Sequence, residues 1–309
     1  MAREVPPTLV QNQGDGKMRQ IVVISGKGGT GKTTVTAALA RLVENKVLVD
    51  ADVDASNLEI LTYPRTVKTE TYREGQTAVI DPQKCISCDL CRQHCRFDAI
   101  VVDDAGKYSV DEHACEGCKV CQLVCPAGAV SMVEVEAGVV KQSETPFGML
   151  YHGELSAGRD NSGKMVTYLR ELGADYAQKN DLDWVLIDGA PGIGCQVIAS
   201  VTGVDGAIVV SEPTLSAIHD LKRVVELALH FRLKVGVVIN KVDINPSLSR
   251  EIRRWAESQN LPVLAEIPLD KRIIRAMVEK KSPIEIGDES LTDLYRRIWT
   301  DFVNHYFPK

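Results

Sequence analysis

The sequence predicts an α/β protein, a mostly parallel sheet flanked by helices, into which a small α+β segment of different character is inserted. Three observations carry that expectation. Short β-branched and apolar runs alternate with segments of helical periodicity in the first sixty residues and again through the C-terminal half. Strands apolar on both faces belong in a parallel sheet covered by helices on each side. Two of these runs end in carboxylates, where open α/β sheets collect ligand groups. Between the two α/β parts, eight of the nine cysteines fall in two runs of one spacing.

At 309 residues the chain exceeds what one hydrophobic core usually serves, so a large domain with a smaller module is expected. The formal charge of −6, from 36 Lys and Arg against 42 Asp and Glu, provides no basic field, and nucleic-acid binding is not expected. No apolar run approaches the roughly 18 to 20 residues of a membrane span, and the N-terminus lacks a signal-peptide core. A cytoplasmic protein without a membrane span is the expectation. Residues 1–17, rich in Pro, Gln, Asn and Gly without periodicity, read as a flexible N-terminal extension. The α/β part is expected over 18–61 and 145–309, and the insertion over 62–144.

The first strand, Gln20–Ser25, runs into Gly26-Lys27-Gly28-Gly29-Thr30-Gly31-Lys32-Thr33-Thr34 and then a helical segment. This fills every fixed position of G-x-x-x-x-G-K-[ST] in the strand, loop, helix order that the motif requires. Its glycines let backbone N–H groups from Gly28 to Thr34 close around phosphates at a helix N-terminus. Lys32 reaches the β- and γ-phosphates, and the Thr33 hydroxyl sits on Mg²⁺. The strands Lys46–Asp50 and Trp184–Asp188 end in Asp50-Ala51-Asp52-Val53-Asp54 and Asp188-Gly189-Ala190-Pro191-Gly192. Further strands are expected at Ala207–Val210, Val235–Asn240 and Val263–Ile267. Helices are expected at 162–178, 215–231, 247–259, 271–280 and 291–304.

The extra lysine, Lys27, makes the loop resemble that of the deviant Walker A P-loop ATPases, the group of MinD, ParA and the nitrogenase iron protein. The resemblance implies a P-loop NTPase fold, Mg-ATP as ligand, and a face-to-face dimer in which Lys27 crosses to the partner's nucleotide. That is the role of an arginine finger in charge terms. It further implies that Asp52 positions the attacking water and stands near Mg²⁺, that Asp188 joins the Mg²⁺ water shell, and that Gly192 lies in switch II. Asn240-Lys241-Val242-Asp243 matches the N-K-x-D of P-loop GTPases, yet relatives of the ATPase type use the asparagine on adenine. ATP is favoured over GTP on the strength of the remaining motifs, with Asn240 as the base contact.

Cys85-x-x-Cys88-x-x-Cys91-x-x-x-Cys95 and Cys115-x-x-Cys118-x-x-Cys121-x-x-x-Cys125 repeat the run of bacterial two-cluster ferredoxins, whose fourth cysteine ligates the other cluster. The resemblance assigns Cys85, Cys88, Cys91 and Cys125 to one [4Fe–4S] cluster, and Cys95, Cys115, Cys118 and Cys121 to a second. The first run ends in Cys95-Arg96 where the second has Cys125-Pro126, and Arg92, His94 and Arg96 add basic character there. Cys195 falls in switch II, as does a cluster-ligating cysteine of the nitrogenase iron protein, although a buried structural cysteine is the commoner fate. As a whole the chain is similar to MinD-superfamily ATPases carrying an inserted ferredoxin domain. It is expected to be a homodimer, or a heterodimer with a related ATPase, that couples nucleotide state to electron transfer toward a redox partner. The alternative is a cluster-assembly, carrier or targeting ATPase, against which the absence of any cysteine after Cys195 counts.

Overall fold

The computed structural model describes residues 18–156 and 162–308; the expected N-terminal extension, 1–17, lies outside them. From Arg19 the chain runs through β1 (Arg19–Ser25), α1 (Lys32–Leu42), β2 (Lys46–Asp50), α2 (Leu58–Thr62) and the long β3 (Arg65–Ile80). There follow α3 (Leu90–Gln93), β4 (Ile100–Val102), β5 (Tyr108–Val110), α4 (Val120–Leu123) and a second long strand, β6 (Val130–Thr145). The next elements are β7 (Gly148–Leu155), α5 (Ser162–Lys179), β8 (Trp184–Pro191), α6 (Cys195–Val201), β9 (Gly206–Ser211) and α7 (Leu215–His230). The chain closes with β10 (Lys234–Asn240), α8 (Pro246–Ser258), β11 (Val263–Ile267), α9 (Lys271–Val278), a 3₁₀ turn (Pro283–Ile286) and α10 (Glu289–Tyr306). The five helices anticipated after residue 160 are α5, α7, α8, α9 and α10, with ends displaced by at most two residues.

Helix starts follow local chemistry. Asn245 accepts from the N–H groups of Ser247 and Leu248, with Pro246 at the first helical position of α8, while Asp288 accepts from Leu291 at the start of α10. That cap starts α10 two residues before its first apolar residue, which periodicity alone cannot register.

The main sheet has the order β11-β10-β9-β1-β8-β2-β7-β6-β3. The pairings from β11 through β7 are parallel, the arrangement expected for strands buried on both faces. Strand β1 lies between β8 and β9, and β8 also pairs with β2, so the C-terminal ends of β1, β8 and β2 stand side by side. Asp50 is in register with Asp188, and Val23 with Asp188 on the other side. Three loops that are far apart in sequence thereby open at one place. The core around this sheet includes Leu39, Leu48, Leu150, Leu186 and Phe302, all fully buried, and Trp299 of α10 meets Trp184 edge-on at 4.9 Å between ring centroids.

By its internal contacts the chain divides into two compact units. The larger holds residues up to Thr69, Val140–Glu154 and the chain from Ser162 on, and the smaller holds Glu70–Val139 with the segment that begins at Leu155. These divisions fall inside β3 and β6, not at the expected 61/62 and 144/145, because a strand that runs through a junction leaves no break in composition. The smaller unit has a core of its own, in which Ala78, Ile80, Cys91, Ile100 and Val130 are buried and Cys85, Cys95, Cys115, Cys121 and Cys125 are packed against them. Tyr72, Ala99, Ala129, Val135 and Ala137 are buried in this unit too, so the core is rich in small residues and cysteines do much of the filling.

Removal of the Phe302 ring from the centre of the larger core, by Phe302→Ala, is expected to cost about 3 to 5 kcal/mol. The check is the shift in denaturant midpoint of the α-helical signal.

Candidate functional site

The glycine loop leaves β1 and enters α1 through Gly31, whose φ of 98° lies in the left-handed region. A Cβ there would also stand 2.2 Å from Nδ2 of Asn240, so the position requires glycine on two counts. Asn240, at the end of β10, donates from Nδ2 to the Thr30 carbonyl at 2.7 Å. Next to it Lys241 donates from Nζ to the Gly29 carbonyl at 3.0 Å and pairs with Glu212 at 2.7 Å. The loop is thus braced from outside by β10, a role for Lys241 and Glu212 that the sequence reading missed. The N-K-x-D match was the available signal.

Below the loop, Lys32 is almost fully buried with Nζ 3.0 Å from Asp188 Oδ1 and 3.7 Å from Asp52 Oδ2. Thr33 donates to Asp188 Oδ2 at 2.8 Å, and the buried Thr36 donates to Asp188 Oδ1 at 2.7 Å, with the Lys32 carbonyl a weaker alternative at 3.1 Å. Asp50 is also buried; its carboxylate accepts from Ser56 Oγ at 2.7 Å and from the N–H groups of Asp52 and Leu58 at 3.1 Å each. It therefore folds the 50–58 loop back on itself and presents Asp52 to Lys32. Three carboxylates surround one ammonium. Burial alone would lower the Lys32 pKa, but Asp188, Asp50 and Asp52 outweigh it and hold the ammonium charged. Burial and the nearby Asp188 push Asp50 up to about 7 against the pull of Lys32. Burial also raises Asp52, opposed by Lys32 and reinforced by Asp188 and Asp54. The excess negative charge is what a divalent cation or a proton relieves.

These groups edge a cleft of about 1830 Å³, partly open to solvent, lined by Gly28, Gly29, Gly31, Lys32, Thr33, Thr34, Asp52, Asp54 and, across from them, Pro191, Gly194 and Cys195. Gly192 has φ of 95° and its N–H donates to the Ser25 carbonyl at 2.8 Å, which ties this segment to the end of β1. Thr30 is buried with its hydroxyl unpartnered. Lys27 is exposed and its Nζ donates to Ser216 Oγ at 3.3 Å, away from the buried carboxylates. Cys195 is exposed at the start of α6, which corrects the expectation of a buried structural cysteine. Its place as the first residue of α6, on the rim of the cleft, is the reason.

In the smaller unit two cavities share out the eight cysteines. Cys85, Cys88, Cys91 and Cys125 line one of about 20 Å³, and Cys95, Cys115, Cys118 and Cys121 line another of about 20 Å³. Among the described residues, no group of three or more His, Cys, Asp or Glu converges closely enough to hold a single ion. The Ala129 N–H donates to Cys125 Sγ at 3.3 Å. Burial would raise the Cys115 thiol, but the Ala78 and Gly117 backbone groups beside it bring it below its ordinary value. Arg92 is held by both oxygens of Asp89, which also accepts from Tyr108, and the His94 ring contacts the Leu90 carbonyl. Neither side chain lines a cavity, and Arg96 is exposed.

A parallel sheet with a phosphate-type loop after β1 and carboxylates after the neighbouring strands defines a P-loop nucleotide-binding fold. The chain belongs to the CobQ/CobB/MinD/ParA nucleotide-binding-domain family, whose model matches residues 21–284. An uncharacterized protein of Methanocaldococcus jannaschii is 34% identical over 235 residues, 74% of this chain and 80% of that protein. The cell division ATPase MinD of Pyrococcus furiosus shares the fold, with a TM-score of 0.54 over 94% of this chain and 99% of that one at 20% identity. Pyruvate synthase subunit PorD of M. jannaschii is 35% identical over 69 residues, 22% of this chain but 79% of that subunit. Part of this chain therefore recurs elsewhere as most of a separate protein. No helix among the described residues is long and apolar enough to cross a membrane.

A carboxyl whose pKa is higher folded than unfolded makes stability fall as pH rises from the unfolded value toward the folded one. For Asp50 that window is about pH 4 to 7. Asp50→Asn is expected to flatten the decline of melting temperature relative to the native chain across that window in the absence of nucleotide. Thermal scans of both proteins at matched pH check this, since the opposing titration of buried His152 is common to the two.

Proposed function

We propose that this protein is a dimeric, Mg-ATP-binding and hydrolysing iron–sulfur protein in which nucleotide state governs electron transfer through two [4Fe–4S] clusters. The observation that carries the cluster half is the division of eight cysteines into two sets of four, each set around its own cavity and each taking one cysteine from the other run. A zinc ion draws its thiolates to about 2.3 Å from one point. A cubane binds each thiolate at a separate corner, so four cysteines placed around a space fit a cluster better than an ion. Cys85, Cys88, Cys91 and Cys125 would hold one, and Cys95, Cys115, Cys118 and Cys121 the other. When bound, such clusters supply one-electron transfer at a potential set by charge, exposure and hydrogen bonds to sulfur. The N–H groups at Cys125 and Cys115 are of that kind. The core of the smaller unit, rich in small residues and cysteine, supports the same reading, because a unit of this size commonly relies on a metal staple.

The nucleotide half rests on Lys32, Thr33, Asp52 and Asp188, which meet in one buried cluster beside the loop. Lys32 and Gly28 to Thr34 take the phosphates, Thr33 and Asp188 take Mg²⁺, and Asp52 orients the attacking water. Lys27, exposed and turned from its own carboxylates, is disposed to reach the nucleotide of a second copy or of a related ATPase. ATP is preferred over GTP because Asp243, the residue that would read guanine, accepts from the Leu269 N–H at 2.6 Å. Asn240 serves as the base contact in this reading by releasing the Thr30 carbonyl, which its amide holds at 2.7 Å. The second reading, a targeting or cluster-assembly ATPase whose clusters are structural or are cargo for apo-proteins, is favoured by family membership with MinD and ParA.

Anaerobic reconstitution is expected to yield about eight irons per chain, and Cys91→Ser or Cys121→Ser each to lose about half of them. Stoichiometric zinc, or iron unchanged in both variants, would remove the cluster half. Lys27→Ala is expected to lower ATP turnover by about 10³-fold or more while sparing nucleotide binding, as measured by phosphate release beside equilibrium binding. With a coupling of about 1 to 3 kcal/mol, a non-hydrolysable Mg-ATP analogue should shift cluster potential by about 40 to 130 mV. Unshifted potentials together with iron transfer to an apo-protein would favour the second reading.

A further inference from the structure

The structure assigns to Thr36 a positioning role that we propose is needed for Mg²⁺: its buried hydroxyl fixes one oxygen of Asp188 while the other oxygen and its partners are engaged by ligand. The inference rests on the reading that the cleft takes Mg-nucleotide. Three groups hold Asp188 in the structure, namely the Lys32 ammonium and the Thr36 hydroxyl on Oδ1 and the Thr33 hydroxyl on Oδ2. Two of the three, Lys32 and Thr33, line the cleft and are the groups that the loop motif commits to phosphate and metal. When those two turn to the ligand, Asp188 loses a hydrogen bond on one oxygen and a cation on the other. Thr36 has no exposed surface and sits one turn into α1, beneath the loop, so no ligand draws it away. Its 2.7 Å bond is then the constraint that holds Oδ1 and keeps the carboxylate from rotating, so that Asp188 would present Oδ2 to a bound Mg²⁺.

The residue is also placed against its own interest as a helix former. A β-branched hydroxyl residue inside a helix ordinarily bonds back to the carbonyl four residues earlier, and the Lys32 carbonyl is within reach at 3.1 Å. The shorter approach to Asp188 shows which acceptor the side chain favours. Valine has the same shape and differs by the hydroxyl, and serine keeps the hydroxyl and drops the methyl, so the two variants separate donation from packing.

The test measures binding of a fluorescent ATP analogue to the full chain across a Mg²⁺ titration and again in EDTA. Thr36→Val is expected to raise the Mg²⁺ concentration for half-maximal binding about tenfold, the scale of one hydrogen bond to a charged acceptor, and to leave the EDTA affinity within about twofold. Thr36→Ser is expected to restore the native Mg²⁺ dependence. Should Thr36→Val fold poorly, Thr36→Ala reports the same loss. An unaltered Mg²⁺ dependence in Thr36→Val or Thr36→Ala, or equal weakening with and without Mg²⁺, would overturn the assignment and leave Mg-nucleotide binding itself intact. A native chain that binds nucleotide with no response to Mg²⁺ would overturn both.

Discussion

Most of the functional architecture depends on one electrostatic constraint, the crowding of Asp50, Asp52 and Asp188 around the single buried ammonium of Lys32. Like charges in a dry site repel strongly, and one lysine cannot neutralise three carboxylates. The fold holds them there through buried and half-buried hydrogen bonds: Thr33 and Thr36 on Asp188, Ser56 and two backbone N–H groups on Asp50. The site is therefore poised for a divalent cation and its anionic ligand. Binding energy does not have to assemble the groups, because the sheet has done so already.

The same constraint explains why the loop is braced from β10. A loop of glycines has little to keep it in one shape, and its phosphate-facing N–H groups must be aligned before ligand arrives. Asn240 and Lys241 bond to successive carbonyls of the loop from behind, and Lys241 is steadied in turn by Glu212. On the opposite side, Arg170 of α5 reaches the carbonyls of Ala199 and Thr202 and so ties down the far end of α6, the helix that begins at Cys195. The segment between Gly192 and α6 is bounded by fixed points at both ends.

The smaller unit follows a different logic. Its stability cannot come from a large apolar interior, since its buried set is rich in small residues and is completed by cysteine sulfur. Strands β3 and β6 each contribute residues to both units.

The sequence by itself determined the local matters. The strand, loop and helix around Lys32 were legible because glycine, lysine and β-branched runs have fixed local meanings, and the resemblance of the cysteine runs to those of two-cluster ferredoxins implied the grouping of Cys125 with the first run. The parallel order of the main strands followed from their apolar character. What the tertiary structure decided is which distant groups share a place. Thr36 reads in sequence as an ordinary helical threonine, Lys241 as half of a base-recognition motif and Asp50 as one of three similar carboxylates. Each acquires its role from a partner more than two loops away or from burial, and neither quantity has a local signature. The unit boundary inside β3 and β6 and the exposure of Cys195 were hidden for the same reason, because a strand's pattern does not record which side chains lie beyond it.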